Sequence, residues 1–397
     1  MLSIFEDKRL FQYLATLAGT FSIISSGVNL AWTSPYLPVL LNSSEIPTTP
    51  TQGSWCAVMP LIGAPPGAFL AAYLNDAIGR KATILAMAPI VFSSFILITF
   101  AKSIWLFIVA RFFLGSVEGG LFTVLPIYLS EIADPEIRGF LASTIAVALI
   151  IGSLLINVIG PFTSIFTSGI ICASIPLIHF LTFLWVPESP YYYIKKLRFE
   201  NARESLKILR RRLNVTDELH ELAIAIRRQE NERSKISDLF TNKYYRRSGL
   251  IFMILCATSK LSGKNPLLFY TTQIFLETGD KLDPKIAVII YTLLELIATI
   301  AAISVIDKFG RRKLMLFSAA GCAIVLAFEA IYFFLKEKNP IYAENLYWLS
   351  LIALFLYNII ASLGLVFGPV LLRLNCSTLP VHMGLIFHSV YSRSAAW

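Results

Sequence analysis

Long apolar runs alternate with short polar connections along this chain, and that alternation sets its class. Ten stretches are apolar for long enough to cross a bilayer: 11–33, 54–75, 83–101, 105–130, 139–160, 167–187, 248–275, 286–306, 314–335 and 347–372. A spanning helix needs about 20 mostly apolar residues, so the pattern predicts about ten complete spanning helices. A further run, 381–397, stops before it could span. One sizeable polar stretch, 188–247, interrupts the series with six runs before it and four after. The order of apolar residues in Ala202-Arg203-Glu204-Ser205-Leu206-Lys207-Ile208-Leu209 predicts amphipathic helices there. The chain thus divides into a six-helix half, 1–187, a linker, 188–247, and an incomplete second half, 248–397.

Composition removes the soluble alternatives. Hydrophobic residues make up 56% of the 397 residues, charged residues only 15%, and mean hydropathy is +0.68. A soluble domain carries about 25% charged residues. The expected fold class is therefore an all-α polytopic membrane protein, and a secreted or cytosolic enzyme is excluded. The five cysteines, Cys56, Cys172, Cys256, Cys322 and Cys376, sit in or beside apolar runs without metal-ligand spacing. They read as small buried hydrophobes. No nucleophile–base set or cofactor motif is visible, so neither catalysis nor a cofactor is expected.

The net charge of +9 would suit nucleic acid on a soluble protein; here it reports topology. With the N-terminus inside, the inner loops hold Lys8, Arg9, Arg80, Lys81, Arg138, Lys308, Arg311, Arg312, Lys313 and Arg373, plus the many basic residues of 188–247. The outer loops hold only Lys102, Lys281, Lys285, Lys336 and Lys338. Basic residues favour the cytoplasmic side, which predicts a cytoplasmic N-terminus, most simply in the plasma membrane. Of three glycosylation sequons, Asn42-Ser43-Ser44 falls outside the membrane and is the expected acceptor. Asn214-Val215-Thr216 and Asn375-Cys376-Ser377 fall inside.

An internal repeat refines the architecture. Asp76-x-x-Gly79-Arg80-Lys81 connects runs two and three; Asp307-x-x-Gly310-Arg311-Arg312 connects runs eight and nine. The offsets 307−76, 310−79 and 311−80 all equal 231. Duplicated halves of this kind are a transporter architecture. Gly permits the tight turn, Asp can cap a helix, and the basic side chains can pair with carboxylates on neighbouring helices in one arrangement and release them in another.

The chain also resembles the sugar porter family of the major facilitator superfamily. The matching residues are Trp32-Thr33-Ser34-Pro35, the two Asp-x-x-Gly-Arg loops, Arg111-x-x-x-Gly115, Pro126-x-Tyr128-x-x-Glu131, Arg138-Gly139, Pro187-Glu188-Ser189-Pro190, Ser262-Gly263-x-Asn265 with Phe269-Tyr270, and Gly368-Pro369. The resemblance implies twelve helices in two six-helix pseudo-repeats and alternating access around a central sugar site. It implies sugar contacts at Ser259, Lys260, Ser262, Asn265, Phe269, Tyr270 and Glu295. It implies gating roles for Asp76, Gly79, Arg80, Lys81, Glu131, Arg138, Glu188, Asp307, Gly310, Arg311 and Arg312, with Arg80 pairing with Glu131 or Glu188 in the outward-open state. The expected partners are a small carbohydrate and the bilayer, with no nucleic acid; the oligomeric state stays open.

Several positions depart from the family. Ala146, Ser259, Lys260, Glu295, Leu371, Leu372 and Ser377 stand where the resemblance implies amides, a Pro-Trp pair or a carboxylate. Helices eleven and twelve are incomplete or missing, so a fragment of a longer chain is expected, with a degenerate paralogue as the competing account. Proton-coupled members carry an acidic residue in helix 1, whereas residues 10–44 contain no Asp, Glu, Lys or Arg. That favours a facilitator of the trehalose or hexose class. A non-transporting sugar sensor and a proton symporter are the alternatives.

Charges inside apolar runs need partners. Arg111, Glu118, Lys260, Lys264, Glu295 and Glu329 all lie there. Arg111 is expected to anchor helices and Lys264 to snorkel outward. Lys260 and Glu295 lie at similar depth and are expected to form an ion pair or to face separate watery space.

Overall fold

A computed structural model describes residues 9–231, 243–278, 283–309, 311–338 and 347–365. Helices account for nearly all of them, and no strand occurs among the described residues. They run α1 (Leu10–Ala31), α2 (Thr33–Leu41), α3 (Pro50–Ala77), α4 (Arg80–Thr99), α5 (Ile104–Ile132), α6 (Arg138–Ile159) and α7 (Ile165–Phe183). Three polar-segment helices follow, α8 (Pro190–Lys195), α9 (Phe199–Arg210) and α10 (Thr216–Asn231). The later helices are α11 (Lys243–Leu261), α12 (Lys264–Phe269), α13 (Thr271–Thr278), α14 (Pro284–Phe309), α15 (Arg311–Lys338) and α16 (Tyr347–Ile360).

Among the described residues, eight helical segments are long and apolar enough to span, among them Leu10–Leu41, which joins α1 and α2. The sequence pattern leads to ten. Two of the expected spans differ for local reasons. The run 248–275 is split at Ser262 and Gly263, where Gly263 takes φ +88°. The run 347–372 is a helix to Ile360 and a π-turn over Ala361–Leu365; its remainder lies outside the described residues, as do Gly368, Pro369, Leu371, Leu372, Ser377 and Asn375.

Helix starts carry recognisable signals. Thr49 caps α3 through its hydroxyl to the Gln52 N–H at 3.3 Å, and Gln52 Oε1 accepts from the Thr49 N–H at 3.0 Å. Pro50 occupies the first helical position, where its missing N–H costs nothing. The core of the first six spans is one continuous cluster from Ala15 on α1 to Val186 beyond α7. The later helices hold smaller clusters around Tyr291 and Tyr357. Large apolar side chains such as Phe69, Leu70 and Trp105 point outward, as expected where lipid is the solvent.

The closest helix pairing is α3 on α5. A Cβ on Gly63 would lie 2.2 Å from the Phe112 carbonyl, and one on Gly67 1.8 Å from that of Ser116. From the other side, Gly115 faces Pro60 and Gly119 faces Ala64 at 2.1 and 2.0 Å. Small residues at these four places let two backbones touch, the usual basis of helix association in lipid.

The polar stretch forms helices, as its pattern suggests. Ala202, Ser205, Leu206 and Leu209 are the buried stripe of α9. Arg210, at its end, donates from Nη1 to the Ile132 carbonyl at 2.8 Å. The end of the bundle that carries the Asp76–Arg80 loop is therefore the end capped by α8–α10. It is called the basic end below.

Candidate functional site

The connection between α3 and α4 is only Ile78 and Gly79. Gly79 has φ +102°, and a Cβ there would lie 2.3 Å from Glu188 Oε2. No other residue fits without moving that carboxylate. Glu188 Oε1 accepts the N–H groups of Arg80 at 3.0 Å, Lys81 at 3.1 Å and Ser189 at 2.8 Å. It thus caps α4 from the segment just after the neighbouring α7, at a helix start where the dipole favours negative charge. Burial pushes the Glu188 carboxyl above its ordinary pKa, while these N–H groups and Arg80 pull it back down.

Arg80 then makes a two-pronged pair with Glu131. Its Nε meets Oε2 at 2.9 Å and its Nη2 meets Oε1 at 2.8 Å, with both side chains largely buried. Nη1 donates to the Asn75 carbonyl at 3.2 Å and lies 3.9 Å from Asp76. Asp76 takes Lys195 Nζ at 2.9 Å, and the Ser189 hydroxyl donates to Glu131. So Asp76, Gly79, Arg80, Lys81, Glu131 and Glu188 come together as one clamp. Arg138 does not join it: its N–H donates to the Asp134 carbonyl at 3.0 Å, and its Nε is buried without a hydrogen-bond partner.

The clamp forms here while the far ends of the bundle are in contact, as shown below. The family resemblance implies this pairing in the outward-open state. All its members belong to the first six spans and the segment just after them.

A second network at the basic end has no motif to announce it. Asp134 lies 3.4 Å from Arg9 Nε and 3.1 Å from Arg210 Nε. Arg9 also pairs with Glu136, and Arg210 with Glu218 at 2.8 Å. Gln12 accepts the Asp134 N–H at 2.9 Å and donates to the Leu209 carbonyl at 3.4 Å.

Of the repeated loop, Asp307 lies near the end of α14 and Arg311 opens α15. Gly310 and the side chains of Asp307 and Arg311 fall outside the described residues, and Arg312 is exposed.

Arg111 is fully buried and ties α1, α2, α3 and α5 together. It donates to Asn29 Oδ1 at 2.9 Å, to Thr33 Oγ1 at 2.6 Å and to the carbonyls of Cys56 and Asn29. Its guanidinium carbon lies 5.5 Å from the Trp32 ring centroid. Asn29 Nδ2 passes the contact on to Glu118 Oε2 at 3.0 Å.

The residues expected to meet sugar surround the break after α11. Ser262 donates to the Ser259 carbonyl at 2.7 Å, and its own carbonyl accepts Tyr357 OH at 2.9 Å. Asn265 is half-buried on α12, and Phe269 is buried at its end. Glu295 is buried, and its partner is Lys264, at 2.6 Å. This corrects the expectation for Lys264. Lys264 turns inward instead of snorkelling, because the Gly263 turn redirects the chain as α12 starts. The side chain of Lys260, the expected partner, lies outside the described residues.

Contacts between the first six spans and the later helices gather toward the end opposite the basic end. Ser34 Oγ and Thr272 Oγ1 are 2.9 Å apart, and Asn157 Nδ2 donates to Thr292 Oγ1 at 2.9 Å. Tyr270 OH donates to Ser54 at 3.4 Å, and Lys285 Nζ lies 5.6 Å from the Phe162 ring centroid.

Comparison with known proteins decides the family. Residues 20–378 match the family described as "Sugar (and other) transporter". This chain belongs to that family. It is 33% identical over 367 residues to the facilitated trehalose transporter Tret1 of Anopheles gambiae, covering 90% of this chain and 45% of that one. It is 30% identical over 379 residues to Tret1 of Apis mellifera ligustica, covering 93% and 74%. The chain thus spans less than half the length of the Anopheles relative. Among solved structures it is similar to the xylose transporter XylE of E. coli in a partially occluded inward-open conformation: TM-score 0.77, 20% identity, 97% of this chain and 89% of that one. The major facilitator proton:xylose symporter XylE bound to 6-bromo-6-deoxy-D-glucose gives a TM-score of 0.77 at 20% identity, covering 98% and 86%. The fold is that of a major facilitator carrier, and the chain is a multi-pass membrane protein of a transporter family.

Proposed function

We propose that this chain is a facilitative carbohydrate carrier, of trehalose or hexose class, working by alternating access between 1–187 and 248–397 with 188–247 as the linker. The observation that carries the reading is the set of contacts at the end opposite the clamp, where Ser34 meets Thr272 and Asn157 meets Thr292. Two units that touch at one end can rock about a central site. Trehalose or hexose is supported by the Tret1 relatives.

Uniport, not proton symport, is supported by the surroundings of Arg111. An amide, a hydroxyl and carbonyl groups receive its guanidinium, and Asn29 links it to Glu118. A neutral first partner has no proton to exchange. Uptake of labelled trehalose and glucose into proteoliposomes tests the whole reading. Saturable flux that ignores an imposed pH gradient is expected. Accumulation driven by that gradient would make it a symporter, and binding without flux a sensor. In the same vesicles, Ser34→Cys with Thr272→Cys should cross-link on oxidation and stop flux until reduced. Full flux in the cross-linked protein would remove the gate.

We also propose that the basic end is cytoplasmic. Asn42 is exposed just past Leu41, at the other end of the bundle from exposed Asn214, which follows the docked Arg210. Glycan should therefore appear on Asn42 and not on Asn214. Mass spectrometry finding the reverse would invert the topology.

A further inference from the structure

The Lys264–Glu295 bond is placed where a carrier meets its solute. Its length is 2.6 Å, and the two side chains are 16% and 5% exposed. Glu295 lies 11 residues after Pro284 and 14 before Phe309 on α14. At 1.5 Å per residue that is roughly 17 and 21 Å from the two ends, the middle of a core about 30 Å thick. One turn away on the same helix, Thr292 receives the Asn157 amide from the first six spans. On the other partner's side, α12 packs against α1 and α2, and Leu268 joins the core of the first six spans. The pair therefore sits mid-membrane, at the junction of the two units, at the break in a discontinuous helix. Carriers place their substrates at such points.

Stability does not account for it. Buried ion pairs seldom stabilise more than apolar residues of the same volume, and charges at mid-membrane are costly. A simple staple between α12 and α14 could be built from leucines.

We propose that Lys264 and Glu295 form a charge filter that sets which solutes the carrier accepts, an inference that rests on the carrier reading above. The ammonium has three donors and spends one on Glu295; the carboxylate keeps free lone pairs. A neutral polyhydroxy solute can bond to both groups without separating them, its hydroxyls both accepting from the ammonium and donating to the carboxylate. An anionic sugar must take Lys264 for itself and leave Glu295 buried and uncompensated. A cationic sugar does the reverse to Lys264. Each charged solute therefore meets a penalty that its neutral analogue does not.

The test measures binding of radiolabelled trehalose, glucose, glucuronate and glucosamine, the last at mildly acidic pH, to the full chain in nanodiscs. In the unaltered chain both charged sugars should bind about 100-fold more weakly than glucose, or worse. Glu295→Gln frees the ammonium, so it should bind glucuronate better than the unaltered chain while losing affinity for neutral sugars. Lys264→Gln should gain glucosamine in the same way, which keeps the test open if Glu295→Gln does not fold. The double variant should take neutral sugars and favour neither ion. A merely structural pair would lose all four ligands in parallel and show no exchange of preference; that result overturns the filter, as does equal binding of glucuronate and glucose by the unaltered chain. If that chain binds no neutral sugar while Glu295→Gln still gains glucuronate, the filter stands and the neutral-carbohydrate reading falls.

Discussion

Arg111→Met is expected to yield a chain that no longer holds its first spans together. The guanidinium is fully buried and is the shared partner of Asn29, Thr33 and the Cys56 carbonyl. Methionine fills much of the same volume and satisfies none of them. Glu118, joined to the network through Asn29, also loses a nearby positive charge. The expected loss is about 3–5 kcal/mol, read as a large fall in melting temperature in detergent. Arg111→Lys should recover only part of it, because an ammonium cannot present the planar fork that reaches three helices at once. A melt indistinguishable from that of the unaltered chain would show that the network is replaceable by water.

Arg80→Leu should be comparably severe, for a different reason. It strands Glu131, whose side chain is only 11% exposed, with the Ser189 hydroxyl as its remaining described partner. Removing one member of a buried pair costs about 3–5 kcal/mol. Removing both is milder, so Arg80→Leu with Glu131→Leu should melt higher than Arg80→Leu alone. The difference between the double change and the sum of the singles measures the coupling. Strict additivity would mean that the two side chains do not support each other in solution.

The clamp was legible in the sequence because its parts are adjacent and repeated. A glycine in a two-residue turn followed at once by two basic residues leaves few geometries, and the 231-residue offset marks them as deliberate. The network of Gln12, Asp134 and Arg210 was not legible. It joins positions 122 and 197 residues apart from Gln12, and a contact of that range leaves no periodicity. The inward placement of Lys264 turned on a single dihedral angle. A continuous helix through 248–275 would keep Lys260 and Glu295 at one depth. The left-handed turn at Gly263 ends α11 and sets Lys264 as the first residue of α12. Among the described residues the break at Gly263 also divides one of the expected spans, since hydropathy reports apolar length and is blind to a break made by one glycine.

The seam between α3 and α5 has a consequence for how this chain can vary over time. Where a residue faces side chains or lipid, a larger side chain can be absorbed when a neighbour changes rotamer or lipid moves aside. At Gly63, Gly67, Gly115 and Gly119 the obstacle is the opposite main chain itself, and no rotamer relieves it. A second-site change cannot make room, because every residue carries the same carbonyl. Drift is therefore closed along this line even to alanine, while the lipid-facing surfaces a few ångströms away stay open to it.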